Sequence, residues 1–273
     1  MKIIDLQIND GKHGFIKQVK IGDKLYALKQ FKDKGGDQEY RIHKLLKHPN
    51  ILNFIYGNEK YIITELMIPY DLHFFVKTAG SMSVNTSNYI LKQLVDALKY
   101  MHQLRIAHRD VKLENVLVDE QNYQIKLCDF DVSESLDSGQ VHNQVGTPCY
   151  MAPEINFYGK IDAQNLIECD IYSLGVLYYI LLFGKYPFNT TNSSCPLYRL
   201  ILKNNWNKFW YYSQRNRSEK IPISCLKLIE GMINYDPKKR LTLDEILYRI
   251  GQINEIEYIN EMKNVHHKLQ EDK

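Results

Sequence analysis

The octapeptide His108-Arg109-Asp110-Val111-Lys112-Leu113-Glu114-Asn115 holds a carboxylate, an ammonium and an amide close together in the chain. Asp110 can orient an attacking hydroxyl and accept its proton. Lys112 can neutralise charge on a phosphoryl group in transit, and the amide oxygen of Asn115 can hold a divalent cation that bridges phosphates. The chemistry that suits such a loop is phosphoryl transfer. Eight residues alone are weak ground, so the remaining parts must be found elsewhere in the chain.

Three side chains keep fixed angles only where packed elements flank the loop. From Leu6 to about Leu66, short apolar stretches alternate with turn residues, notably Gly22-Asp23 between Phe15–Lys20 and Leu25–Phe31, which is the pattern of antiparallel strands. One helix interrupts them, expected from about Asp37 to Lys47 and stopped by Pro49. Beyond Asp71 the period becomes helical: Tyr89, Ile90, Leu94, Val95, Leu98 and Met101 share a face. Further helices are expected at Cys169–Phe183, Pro196–Lys203 and Ile223–Ile233. The result is a small strand-rich lobe, a connector near Glu65–Asp71 and a larger helical lobe, with a cleft where a nucleotide would sit. The most apolar stretch, Ile171–Phe183, is too short to span a bilayer and reads as a core helix.

Composition narrows the field. The chain has 273 residues, 44% hydrophobic and 25% charged, which is ordinary for a soluble protein. Its 35 Lys and Arg nearly balance 32 Asp and Glu, which argues against a nucleic-acid partner. Cys128, Cys149, Cys169, Cys195 and Cys225 are odd in number and scattered, so neither a disulfide framework nor a zinc site is implied. A reducing compartment, cytoplasmic or nuclear, is expected. The first residues lack the apolar run of a signal peptide and no glycine follows Met1, so no membrane association is expected.

The octapeptide resembles the catalytic loop of eukaryotic protein kinases, and the other family motifs follow in order. Asp129-Phe130-Asp131 resembles the metal-binding D-F-G, Ala152-Pro153-Glu154 the A-P-E, and Ala27-Leu28-Lys29 the strand with the phosphate-binding lysine. Asn9 to Ile16 resembles a glycine-rich loop, and Glu39 stands in a segment similar to the family's third helix. The resemblance covers about Leu6 to Leu247. It implies an α+β bilobal kinase fold: a small antiparallel-sheet N-lobe with one major helix (1–66), a hinge (65–71) and a mainly helical C-lobe (72–250). A helical tail, 251–273, would follow the kinase domain of 1–250. The implied activity is transfer of the γ-phosphoryl of ATP, with Mg²⁺ or Mn²⁺, to Ser/Thr hydroxyls of protein substrates, Lys112 marking Ser/Thr specificity. The runs Asp170–Leu177 and Phe183–Phe188 look most like the calcium/calmodulin-dependent kinase group.

Carried over residue by residue, the resemblance makes Asp110, Lys112, Lys29 and Thr147 catalytic, and Asn115 and Asp129 metal ligands. The nucleotide would meet Asn9, Gly11, Gly14, Ile16, Ala27, Lys29, Glu39, Thr64, Glu65, Met67, Asn115, Leu117 and Asp129. His43, Phe54, Phe130 and His108 would form a column linking the lobes, with Asp170 beneath it. Glu154 and Arg240 would form a buried ion pair, and Asp71 and Glu114 would face basic substrate residues. His43 is expected to be a core histidine satisfied by one hydrogen bond, and Cys128 a small buried apolar side chain. The tail is expected to lie on the large lobe, with a regulatory partner as the competing role.

Three departures from the family pattern stand out. Asn9 replaces the first loop glycine, Asp131 replaces the glycine of D-F-G, and Asn143 occupies the usual phosphorylated position of the activation segment. Asp131 and Asn9 motivate the alternative of a pseudokinase scaffold. Retention of Lys29, Glu39, Asp110, Asn115 and Asp129 argues against it. A small-molecule kinase is disfavoured by Gly146-Thr147 and Ala152-Pro153-Glu154, which resemble protein-docking features.

Overall fold

The structure, a computed structural model, describes residues 2–10, 14–32, 36–67, 70–142, 145–157 and 160–271, with 2–10 described by backbone only. In the smaller lobe, β1 (Lys2–Asp10), β2 (Gly14–Ile21), β3 (Lys24–Phe31), β4 (Phe54–Asn58) and β5 (Tyr61–Glu65) form one antiparallel sheet in the order β1-β2-β3-β5-β4. Ile21 pairs with Lys24, so Gly22 and Asp23 form the whole β2–β3 turn, and Gly22 takes the positive φ of 60° that such a turn requires. Among the described residues of this lobe the single helix, α1 (Gly36–His43), ends earlier than expected. The amides of Leu45 and Leu46 bond carbonyls three residues back, on Ile42 and His43, so the chain tightens out of the helix before Pro49 is reached.

The larger lobe contains α2 (Leu72–Ala79), α3 (Val84–Gln103), α4 (Pro153–Phe157), α5 (Leu166–Phe183), α6 (Pro196–Leu202), α7 (Trp206–Gln214), α8 (Ile223–Met232), α9 (Leu243–Arg249) and α10 (Glu255–Glu271). Ser83 caps α3 by accepting the Thr86 amide, and the helix buries Ile90, Leu91, Leu94, Val95, Leu98 and Met101 completely. Each such side chain contributes about 1.5–3 kcal/mol. On α5, every residue from Cys169 to Phe183 is buried. With the turn before it, Ala163–Phe183 is long and apolar enough by length and composition to cross a membrane, which corrects the shorter stretch read from sequence. Of an 18-residue stretch within it, 89% is buried inside the protein, where a core helix belongs.

Short pairings frame the loop from His108 to Asn115. β6 (Ile106–Ala107) pairs with β9 (Glu134–Ser135), so Ala107 sits opposite Glu134. β7 (Val116–Val118) pairs with β8 (Ile125–Leu127), and the Cys128 amide bonds the Asn115 carbonyl at 2.9 Å. One hairpin thus enters the loop and the other leaves it toward Asp129. β10 (Gln140–His142) and β11 (Lys160–Asp162) pair farther along.

The final helix, α10, packs on α2 and α3 and buries Tyr258, Met262, Val265, His266 and Leu269. Ile256, off this face, is 71% exposed. Tyr258 anchors the helix by stacking on Tyr89 with ring centroids 4.3 Å apart.

Candidate active site

Around Asp110 the chain brings together four side chains that are scattered in sequence. Lys112 Nζ donates to one Asp110 carboxylate oxygen at 2.5 Å, and the Thr147 hydroxyl donates to the other at 3.1 Å. Lys112 also donates to Thr147 at 3.1 Å, closing a triangle. Asn115 Nδ2 donates to the Asp110 carbonyl and carboxylate at 2.9 and 3.1 Å. The amide nitrogen is thereby committed, which leaves the amide oxygen to a ligand. Although burial opposes it, Asp110 raises the Lys112 ammonium above its ordinary pKa.

The loop holds this shape against backbone cost. Arg109 has a φ of 71°, a left-handed conformation unfavourable by about 1–2 kcal/mol for a residue with a Cβ. Asp170, fully buried on α5, offsets it: its two oxygens accept the amides of His108 and Arg109 at 2.9 and 2.8 Å. Burial works against the ionised form, yet His102, 2.9 Å away, and these amides hold Asp170 below the usual carboxylate range. The sequence reading placed Asp170 beneath His108 but missed His102. No local pattern signals a pairing across 68 residues.

At the lobe junction Lys29 stands between two carboxylates. Its ammonium is 2.8 Å from Glu39 on α1 and 2.7 Å from Asp129. Burial is the largest influence on Glu39 and pushes it up to about 7 despite Lys29. Against burial, Lys29 holds Asp129 below its ordinary value, and the two carboxylates together raise Lys29. One cation shared by two acids leaves the cluster short of positive charge. The donors fit a small hard cation: the Asp129 carboxylate, whose side chain is 36% exposed, and the Asn115 amide oxygen. Among the described residues no cluster of three or more His, Cys, Asp or Glu could hold a metal alone. A Mg²⁺-type ion bound here would take its remaining ligands from phosphate and water.

The positive φ in this segment, 66°, belongs to Asp129, and Asp131 has none. In this arrangement the freedom of a glycine at 131 is not required. Phe130 is fully buried between His43, with centroids 4.7 Å apart, and His108 at 5.4 Å, while His43 meets Phe54 at 5.7 Å. His43 Nε2 donates to the Leu52 carbonyl at 2.7 Å, the single bond expected of a core histidine.

Burial lowers His43 to about 4, with Lys29 adding to the shift and Leu52 and Glu65 opposing it. Between pH 6.5 and 4 the unfolded chain therefore takes up a proton at His43 that the folded chain refuses. This stability is fully present above pH 6.5 and is lost as the pH falls. His43→Met is expected to remove the dependence. In urea titrations at pH 7 and pH 4.5, the wild type should lose roughly 2–3 kcal/mol more than the variant over this interval. Equal losses would show that His43 does not titrate in this way.

The nucleotide-facing positions fall into two groups. Register sets Ile16 opposite Lys29, and Ala27 opposite Thr64, so these four point to one side of β2, β3 and β5. Leu117 on β7 bridges to Asp71, just beyond the hinge, and Met67 is partly buried at the start of that hinge. A Cβ on Gly14 would come within 2.6 Å of the Gln30 carbonyl, so the strand needs glycine there. Gly11 and Asn143 lie outside the described residues, and of Asn9 only the backbone, paired with Ile16, is described.

One Glu65 carboxylate oxygen accepts from Lys126 and from the Asn53 amide, both at 2.7 Å. One Asp71 oxygen accepts the Phe74 amide at 3.2 Å and caps α2. Cys128 is half-buried where a buried side chain was expected, and desolvation first, then Asp129, pushes its thiol well above the usual range.

The segment after Asp129 is tied down by Glu134, which the sequence reading did not single out. Its carboxylate lies 3.7 Å from Arg109 and accepts the Ser138 hydroxyl at 2.6 Å and Gln38 of α1 at 3.3 Å. Glu154 and Arg240 meet as a buried bidentate pair at 2.5 and 2.7 Å.

Comparison with known proteins agrees with this geometry. The family model described as "Protein kinase domain" matches residues 5–249. The chain is 31% identical to "Serine/threonine-protein kinase SRK2C" of Arabidopsis thaliana over 258 residues, covering 88% of this chain and 71% of the relative. It is 30% identical to "Serine/threonine-protein kinase SAPK3" of Oryza sativa subsp. japonica, covering 85% and 67%. To "Serine/threonine-protein kinase 33" of Mus musculus it is 32% identical, covering 83% and 49%. None of these names carries the calcium/calmodulin-dependent group assignment.

Proposed function

This chain belongs to the protein kinase family and is a serine/threonine kinase that uses ATP and a divalent metal; from that premise we propose how its residues divide the work. Asp110 orients the substrate hydroxyl and takes its proton as the hydroxyl oxygen attacks the γ-phosphorus, the bond from that phosphorus to the β-phosphate oxygen breaks and ADP leaves. Lys112, already bonded to Asp110, lies beside the phosphoryl group in transit, and Thr147 keeps both in register. Lys29 meets the nucleotide phosphates and is held by Glu39. Asp129 and the Asn115 amide oxygen would hold Mg²⁺, which supplies charge neutralisation on the phosphates when bound. The observation that carries the reading is the convergence of Lys112, Thr147 and Asn115 on Asp110. The five cysteines are all free, which supports a reducing, cytoplasmic or nuclear location.

The test is transfer from γ-labelled ATP to Ser/Thr and Tyr peptide libraries, with Mg²⁺ or Mn²⁺ and with chelator. Label is expected on Ser or Thr only, and only with metal. Nucleotide binding without transfer to any peptide would instead favour a scaffold.

Glu134 bears on regulation. Phosphatase treatment is expected to leave most activity, because a carboxylate already lies beside Arg109. Glu134→Gln should lower turnover about three- to tenfold, the loss expected for one partly buried charge contact. Turnover of treated wild type and of the variant, measured side by side, separates the cases. Loss of all activity on phosphatase treatment alone would show that a phosphate orders the segment.

A further inference from the structure

A cavity of about 640 Å³ lies in the larger lobe, away from the lobe junction, between the turn at Lys185, α6, α7 and the residues just after α7. Its lining includes Lys185, Arg199, Lys203, Lys208 and Arg215 and contains no Asp or Glu. All five cations are exposed, and among the described residues none of them has an ion-pair partner. A surface selected only for solubility interleaves both signs. This one excludes acids and keeps its cations in mutual repulsion, which an anionic occupant would relieve.

We propose that this groove binds an acidic segment of the protein substrate, a run of Asp and Glu apart from the phosphorylated residue. The proposal rests on the kinase reading above and names the substrate class. Position supports it. Tyr186, next to Lys185, packs edge-on against Tyr150 at 5.7 Å, and the Tyr150 hydroxyl accepts the Leu113 amide inside the catalytic loop. The chain neighbour of the lining residue Lys185 is thereby packed against a side chain that bonds the catalytic loop. Its size falls within the roughly 300–1,000 Å³ of ligand sites and far exceeds what one phosphate ion needs. A nucleic acid would want open aromatic faces, but the lining Tyr212 is covered by the Arg215 guanidinium, 5.9 Å from its ring centroid.

Two measurements on the full chain test this. A fluorescein-labelled Asp/Glu peptide and its Asn/Gln counterpart are titrated by anisotropy at low and high salt. Each run is also appended to a Ser acceptor peptide, and kcat/KM is measured. The acidic peptide is expected to bind more tightly, with an advantage that fades with salt. Arg199→Glu with Lys203→Glu should weaken that binding by at least about tenfold, at roughly 1 kcal/mol per exposed charge contact. The same double variant should raise KM for the acidic acceptor while kcat and the neutral acceptor stay unchanged. Arg199→Gln with Lys203→Gln gives an intermediate loss, and circular dichroism verifies the fold of both variants. Equal binding of the two peptides, or acidic-peptide binding indifferent to both double variants, overturns the proposal. So does a single-stranded RNA that binds more tightly and displaces the acidic peptide. If the acidic peptide binds as expected but neither acceptor is phosphorylated, the kinase reading fails and the groove stands.

Discussion

Asp110→Asn is expected to lower phosphate transfer by about 10²–10⁴-fold while leaving nucleotide affinity unchanged. The carboxylate accepts from Lys112, Thr147 and Asn115, and all three bonds serve to aim it. An amide of the same shape keeps one acceptor oxygen but cannot take the substrate proton, and its NH₂ group would face the Lys112 ammonium. The groups beside the phosphates, Lys29, Glu39 and Asp129, form a separate cluster that the substitution does not touch. Turnover with labelled ATP and titration with a fluorescent nucleotide measure the two halves. Equal turnover in wild type and variant would remove Asp110 from the mechanism. Equal losses in both readouts would show that the residue only supports the cleft.

Arg240→Met is expected to destabilise the fold by about 3–5 kcal/mol. The Arg240 side chain is fully buried, bonds both Glu154 oxygens, donates to the carbonyls of Asn234 and Glu168, and sits 4.9 Å from the Tyr172 ring centroid. Without it, the Glu154 carboxylate stays buried with only the Cys169 thiol at 3.3 Å, and two carbonyls lose their donor. For a chain of this size the melting temperature should fall on the order of 10 °C. Adding Glu154→Gln should restore part of the loss, because the stranded charge is gone. Differential scanning calorimetry of the three proteins decides. An unchanged melting temperature for Arg240→Met would mean that the pair contributes nothing net.

Reading the sequence located what is local. Lys112 and Asn115 stand within five residues of Asp110, and Gly22-Asp23 announces its hairpin through backbone conformation alone. The long faces of α3 and α5 were visible because many residues repeat their period. Among the short helices α6 was foreseen, with Pro196 at its start, but α7 and α9 were not, because they present too few turns for a period to rise above noise. The end of α1 was misjudged because Pro49 was taken as the stop, whereas the chain had already tightened at His43. Within the site, the partners that were missed lie far apart in the chain. Glu65 binds Lys126 across 61 residues, His102 binds Asp170 across 68, and Glu134 meets Gln38 across 96. Residue type shows that such groups need partners, and only the folded chain shows which ones.

The last helix also sets the order in which this protein can fold. On α10, Glu261 bonds Ser83 and Thr86 of the α3 cap, 178 and 175 residues earlier, and the Tyr70 hydroxyl reaches the Leu269 carbonyl across 199. At roughly 5–20 residues per second on the ribosome, the faces of α2 and α3 wait about ten to forty seconds for these partners. During that interval Phe75, Tyr123 and the edge of α3 stay uncovered, open to chaperones or to a neighbouring nascent chain. Residues 255–271 should therefore close this surface late, and synonymous codons that slow translation there should lower the soluble yield more than the same codons placed earlier.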